Sequence, residues 1–195
     1  GNFLRETGEP LKALPLLEKA SVLSAQMPGV WKALALTQFK LNRYEAALVS
    51  AEKLVGLGPE DATGWELAAG AAQQLRDFDK AAALVARGLT HLPQSASLNY
   101  AMGQLHREQG SFEEASAAYL RAQELGFSSA DLYRNNAEAL LETGKALDAV
   151  AFARRGLEYY STDIALQQVV TRLHVETNAP GDPVGDLMTA AREHR

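Results

Sequence analysis

Alanine recurs at one phase of a 34-residue period, at Ala13, Ala47, Ala81, Ala115 and Ala149. The chain has 34 alanines in 195 residues, so five at one chosen phase is about a one-in-six-thousand coincidence. Other positions keep the same beat. Tyr44, Phe78 and Phe112 fall in register, as do Trp31, Trp65 and Tyr133. Gly110 and Gly144 share a phase with Gly8, Asn42 and Arg76, and Pro59 pairs with Pro93. A period this long means stacked supersecondary units, each unable to bury its apolar face alone.

Within one period the pattern is two amphipathic helices. In residues 62–95, Trp65, Ala68, Ala69, Ala72 and Leu75 mark the first helix, and Arg76, Asp77 and Phe78 make the turn. Ala81, Leu84, Val85, Gly88 and Leu89 mark the second helix, which ends before Pro93. Alanine, small and strongly helix-forming, lets the two helices approach closely. The expected class is all-α, a right-handed α-solenoid of stacked antiparallel helix pairs. It would form one domain over residues 1–195: an incomplete first repeat at 1–27, full repeats at 28–61, 62–95, 96–129 and 130–163, and an irregular end at 164–195. Gly110 and Gly144 are predicted to close first helices in the left-handed conformation. Ser111, Asp77, and Thr162 or Asp163 are predicted N-caps.

Both ends depart from the template. Asn2 to Thr7 make only half a first helix, which suggests a longer array and would leave the apolar side of Leu11, Leu14 and Leu17 uncovered. At the other end Pro180 and Pro183 occupy the turn and the alanine phase. A short helix over about 183–194, with Asp182 as N-cap and Val184, Leu187, Met188 and Ala191 on one face, is expected to cap the last unit.

The residues Trp31–Leu34–Tyr44–Ala47–Pro59, Trp65–Ala68–Phe78–Ala81–Pro93, Gly103–Gly110–Phe112–Ala115–Tyr119–Ala122 and Tyr133–Leu140–Gly144–Ala149–Gly156 resemble the tetratricopeptide repeat (TPR) family. The resemblance implies a concave groove, lined by first helices, that receives peptides or protein surfaces. A variety of the family grips chaperone tails by their terminal carboxylate. Here Lys32 matches its first basic position, but Leu36, Leu67 and Ala101 stand at its polar ones. A second variety carries an Asn in every repeat ahead of a glycosyltransferase, and only Asn135 keeps that phase. Neither specialised role is carried over.

The groove is expected to expose Lys32, Phe39, Gln73, Tyr100, Gln104, Arg107, Arg134, Asn135, Glu138 and Arg172. Tyr100 beside Arg107 and Arg134 would favour an extended, partly apolar segment bearing carboxylates. No catalytic constellation, metal set or cofactor motif is visible, and His106 and His174 are two units apart. With no cysteine, disulfides and thiolate metal sites are excluded. A net charge of −5 without a basic stripe argues against nucleic acid as partner, and no apolar stretch reaches membrane-spanning length. The reading is a non-enzymatic protein-interaction scaffold binding a protein or peptide. The alternatives are a recruiting arm of a larger enzyme, such as a transferase, or a scaffold that self-associates through the N-terminal repeat. For location the cytoplasm is favoured, with export of a longer precursor left open.

Overall fold

The computed structural model describes residues 10–177. The expected half-helix at residues 2–7 and the capping helix at 183–194 lie outside the described residues. Ten helices follow in order: α1 (Pro10–Leu23), α2 (Pro28–Lys40), α3 (Tyr44–Leu57), α4 (Ala62–Gln74), α5 (Phe78–His91), α6 (Ala96–Glu108), α7 (Phe112–Glu124), α8 (Ala130–Glu142), α9 (Ala146–Tyr159) and α10 (Ile164–Thr177). Among the described residues there is no strand. The chain divides into two compact units between Ala101 and Met102, within α6.

In the first unit each of α1 to α5 packs on its chain neighbour, and the first helices α2 and α4 also touch. The period is visible in the core: Ala13, Ala47 and Ala81 are wholly buried. Trp65 is 1 % exposed, and its Nε1 donates to the Pro59 carbonyl at 2.9 Å. Trp31, one repeat earlier, donates to the Ala25 carbonyl at 2.8 Å. A small residue sets the closeness of each pair. A Cβ on Gly88 of α5 would meet Trp65 Cγ at 2.9 Å.

The second unit repeats the scheme. Helix α8 packs on α7, α9 and α10, and Ala115 and Ala149 are wholly buried. A Cβ on Gly103 would fall 2.6 Å from the Tyr119 ring of α7, and one on Gly156 would fall 2.6 Å from Tyr133 Cβ.

The turns between paired helices share one device. Asn42, Arg76, Gly110 and Gly144 all have positive φ, between 57° and 76°. Each turn makes the same two backbone bonds, for example Gly110 N to Arg107 O at 3.1 Å and Ser111 N to His106 O at 2.9 Å. These satisfy two orphan carbonyls of the first helix. Ser111 corrects a sequence expectation: its side chain makes no cap bond. Asp77, Ser129 and Asp163 do cap, accepting from Lys80, Leu132 and Leu166. The N-terminal expectation also needs correction. Leu14 and Leu17 are buried in a cluster with Ala33 and Leu34, and of the three named leucines Leu11 alone is exposed.

Asp61 caps α4, accepting from Thr63 N at 3.0 Å, and also takes a hydrogen bond from Lys32 Nζ at 2.9 Å. Burial pushes its carboxyl up, but the hydrogen bonds from Lys32 and Thr63 and the Lys32 charge outweigh that and hold it below the ordinary range. A depressed folded-state pKa adds stability above the unfolded value, lost as pH falls through the folded one. Stability should therefore drop from about pH 5 downward, and Asp61→Asn, which keeps a capping oxygen, should flatten that drop. Urea unfolding across this range checks it, and an unchanged acid limb refutes it.

Candidate first-helix binding face

In the first unit the structure gives the predicted groove residues local partners. Lys32 is held by Asp61, and Phe39 packs edge-on against Tyr44 with ring centroids 5.4 Å apart. Gln73 and Tyr100 are half-buried. Glu66 accepts a hydrogen bond from Ser97. His91 stacks on Trp65 at 5.7 Å, and the Arg87 guanidinium lies 5.4 Å from the centroid of the same indole.

The second unit brings three predicted residues together. Glu138 of α8 stands between Arg107 of α6 and Arg172 of α10. Its oxygens are 3.9 Å from Arg107 Nη1 and 3.8 Å from Arg172 Nη2. Gln104, Glu138 and Arg172 are spaced by the repeat, and Arg107 lies one turn beyond Gln104. The three charges, with Phe112, Leu141 and Glu142, line an open cleft of about 420 Å³. At 3.8–3.9 Å these are ion pairs rather than hydrogen bonds. The guanidinium donors are therefore not spent on Glu138, and Arg107 Nε is buried without a hydrogen-bond partner.

Two predicted residues sit elsewhere. Arg134 is paired with Asp131, one turn earlier on its own helix. Asn135 is 5 % exposed, so it lies in the interior with Asn136 and not on an open face. The repeat explains this: Ala33, Leu67 and Val169 hold the same phase and are buried too. On the second-helix side of this unit, Ala117, Leu120, Leu140 and Phe152 floor another cleft, with Glu113 and Arg155 in its wall.

Among the described residues no three His, Asp or Glu side chains are grouped to hold a metal, and no helix is long and apolar enough to cross a membrane.

The family model described as tetratricopeptide repeat matches residues 32–96 and 100–164. The chain belongs to the tetratricopeptide repeat family. Solved TPR structures share its fold. A thermophilic TPR protein of Thermus thermophilus is 24 % identical over 88 % of this chain and 94 % of its own, with TM-score 0.69. MamA from Desulfovibrio magneticus is 16 % identical over 82 % of this chain and 91 % of its own, with TM-score 0.70. YrrB, described as a TPR protein with an unusual peptide-binding site, is 16 % identical over 86 % of both chains, with TM-score 0.68. At these identities the likeness is one of fold, and it places the chain in the all-α solenoid class. No curated protein matches the sequence. TPR repeats are a typical interaction scaffold.

Proposed function

We propose that the chain is a protein-interaction scaffold, and that the first-helix face of its second unit receives an extended segment of another protein. The carrying observation is the Arg107–Glu138–Arg172 row. It offers two guanidinium groups held at ion-pair distance, Arg172 also facing Glu176 at 3.8 Å, beside the apolar surface of Phe112 and Leu141. Arginine suits this role because its planar fork binds carboxylates bidentately, with geometric selectivity that lysine lacks. Glu138 and Glu142 offset the two positive charges, so a uniformly acidic ligand is disfavoured. A segment with one carboxylate flanked by apolar residues fits better. The peptide-binding site named for YrrB is compatible with this use of the fold.

The test is a library of labelled twelve-residue peptides sorted against the full chain. The best binders should pair Asp or Glu with an apolar neighbour. Arg107→Ala and Arg172→Ala should each weaken them by about 5- to 30-fold, or about 1–2 kcal/mol. Arg155→Glu, on the second-helix side, should change affinity less than about twofold. If Arg155→Glu abolishes binding while both groove variants keep it, the second-helix cleft is the site and this assignment fails.

A further inference from the structure

The second helices of the two units differ at the positions that bridge them. In the first unit Glu52 of α3 reaches Lys80 of α5 at 3.0 Å. Two periods on, the same positions hold Leu120 of α7 and Asp148 of α9, which cannot form an ion pair. Leu48 and Val49 become Ser116 and Ala117, both smaller. Between α7 and α9 there is accordingly an open cleft of about 600 Å³, floored by Ala117, Leu120, Leu140 and Phe152. Leu120 is 39 % exposed.

The charges around this floor are sorted along its length. Glu113 and Asp148 lie in the first turns of α7 and α9, with Lys145 beside them. Arg155 stands seven residues after Asp148, about 10 Å further along α9. Among the described residues none of these four makes an ion pair. The cleft therefore has an acidic end, an apolar middle and a basic end.

The walls decide what conformation fits. Within their turns α7 and α9 have no free backbone groups to offer, so an extended segment would press its own unpaired N–H and C=O groups onto an apolar floor. The first-helix face differs, because it presents charged side chains along its length. A helix arrives with its backbone already paired and fills a groove with residues one turn apart.

We propose that this cleft receives an amphipathic helix of another protein, lying antiparallel to α7 and α9. Its carboxylate pairs with Arg155, two apolar residues one turn later rest on Leu120 and Phe152, and its cation two turns later lies between Glu113 and Asp148. The order in the partner is acid, apolar at i+3 and i+4, base at i+7, and that separation spans the same length as Asp148 to Arg155. In the antiparallel sense the partner's acid is toward its own N-terminus and its base toward its C-terminus, the ends that the helix dipole favours. This inference is independent of the reading of the first-helix face.

The probe is an alanine-based helical peptide of about 20 residues. It carries Glu, Leu, Phe and Lys at i, i+3, i+4 and i+7, and a control peptide has Glu and Lys exchanged. Titrated onto the full chain by fluorescence anisotropy, the first should bind about tenfold or more tighter than the control. Leu120→Glu with Asp148→Lys rebuilds the Glu52–Lys80 arrangement and should weaken binding by about tenfold or more, with helicity and melting temperature little changed. Arg155→Glu should narrow or reverse the preference between the two peptides, and Arg107→Ala, on the other face, should leave it within about twofold. Equal affinity for the two peptides, no binding of either, or undiminished binding by the double variant would overturn the proposal. If the parent chain sediments as an oligomer and the double variant as a monomer, the cleft belongs to a second copy and the assignment to another protein fails.

Discussion

Trp65→Ala is expected to lower the stability of the first unit by about 3–5 kcal/mol, the cost of emptying a large buried aromatic site. The indole is 1 % exposed and donates to the Pro59 carbonyl. It lies under Gly88 and beneath both His91 and Arg87. Removing it leaves a cavity that these neighbours cannot close, since α5 already approaches to the limit that glycine allows. Urea unfolding followed by circular dichroism reads the loss. A change below about 1 kcal/mol would mean that the ring is not the centre of this packing.

Gly156→Val should cost about 1–3 kcal/mol or more by overpacking. Its Cβ would stand 2.6 Å from Tyr133 Cβ and 2.9 Å from Leu166 Cδ2. Tyr133 Cβ is fixed to the α8 backbone, so no rotamer relieves the clash and the helices must separate. Gly56 gives the contrast. It also lies within a helix, α3, but a Cβ there meets nothing within 4 Å. Gly56→Ala should therefore raise stability by up to about 1 kcal/mol, through propensity alone. If both variants shift in the same direction, close approach at Gly156 is not what sets the α8–α9 packing.

The fold was legible because packing in a repeat chain is written once per period. Ala13 through Ala149 announced the buried stripe, and Gly110 and Gly144 announced the left-handed turn. Asn42 and Arg76 share that phase and also have positive φ, which asparagine tolerates but which no local propensity rule would assign to arginine. The candidate face was less legible, for two physical reasons. One is local capture: Arg134 lies one turn from Asp131, a pairing the sequence already shows. Lys32 is taken by Asp61, 29 residues on, a contact only the stacked fold makes. The other reason is that a polar name does not guarantee an exposed position. Asn135 shares its phase with Ala33, Leu67 and Val169, and that apolar company was the available sign that it is interior. Glu138 and Arg172 could have been paired from sequence, since they stand one period apart in a row of first helices.

The shared turn geometry has a consequence for how such a chain can change. Asn42, Arg76, Gly110 and Gly144 end their helices with one backbone shape and one pair of carbonyl contacts. A block cut or copied between two of them meets at each join a partner it already fits. Adding a single residue inside a helix would instead rotate everything after it by about 100°, off the alanine contacts. Length here is quantised: the sequence can grow or shrink by whole periods at little structural cost, while the smallest edits inside a period are the most disruptive.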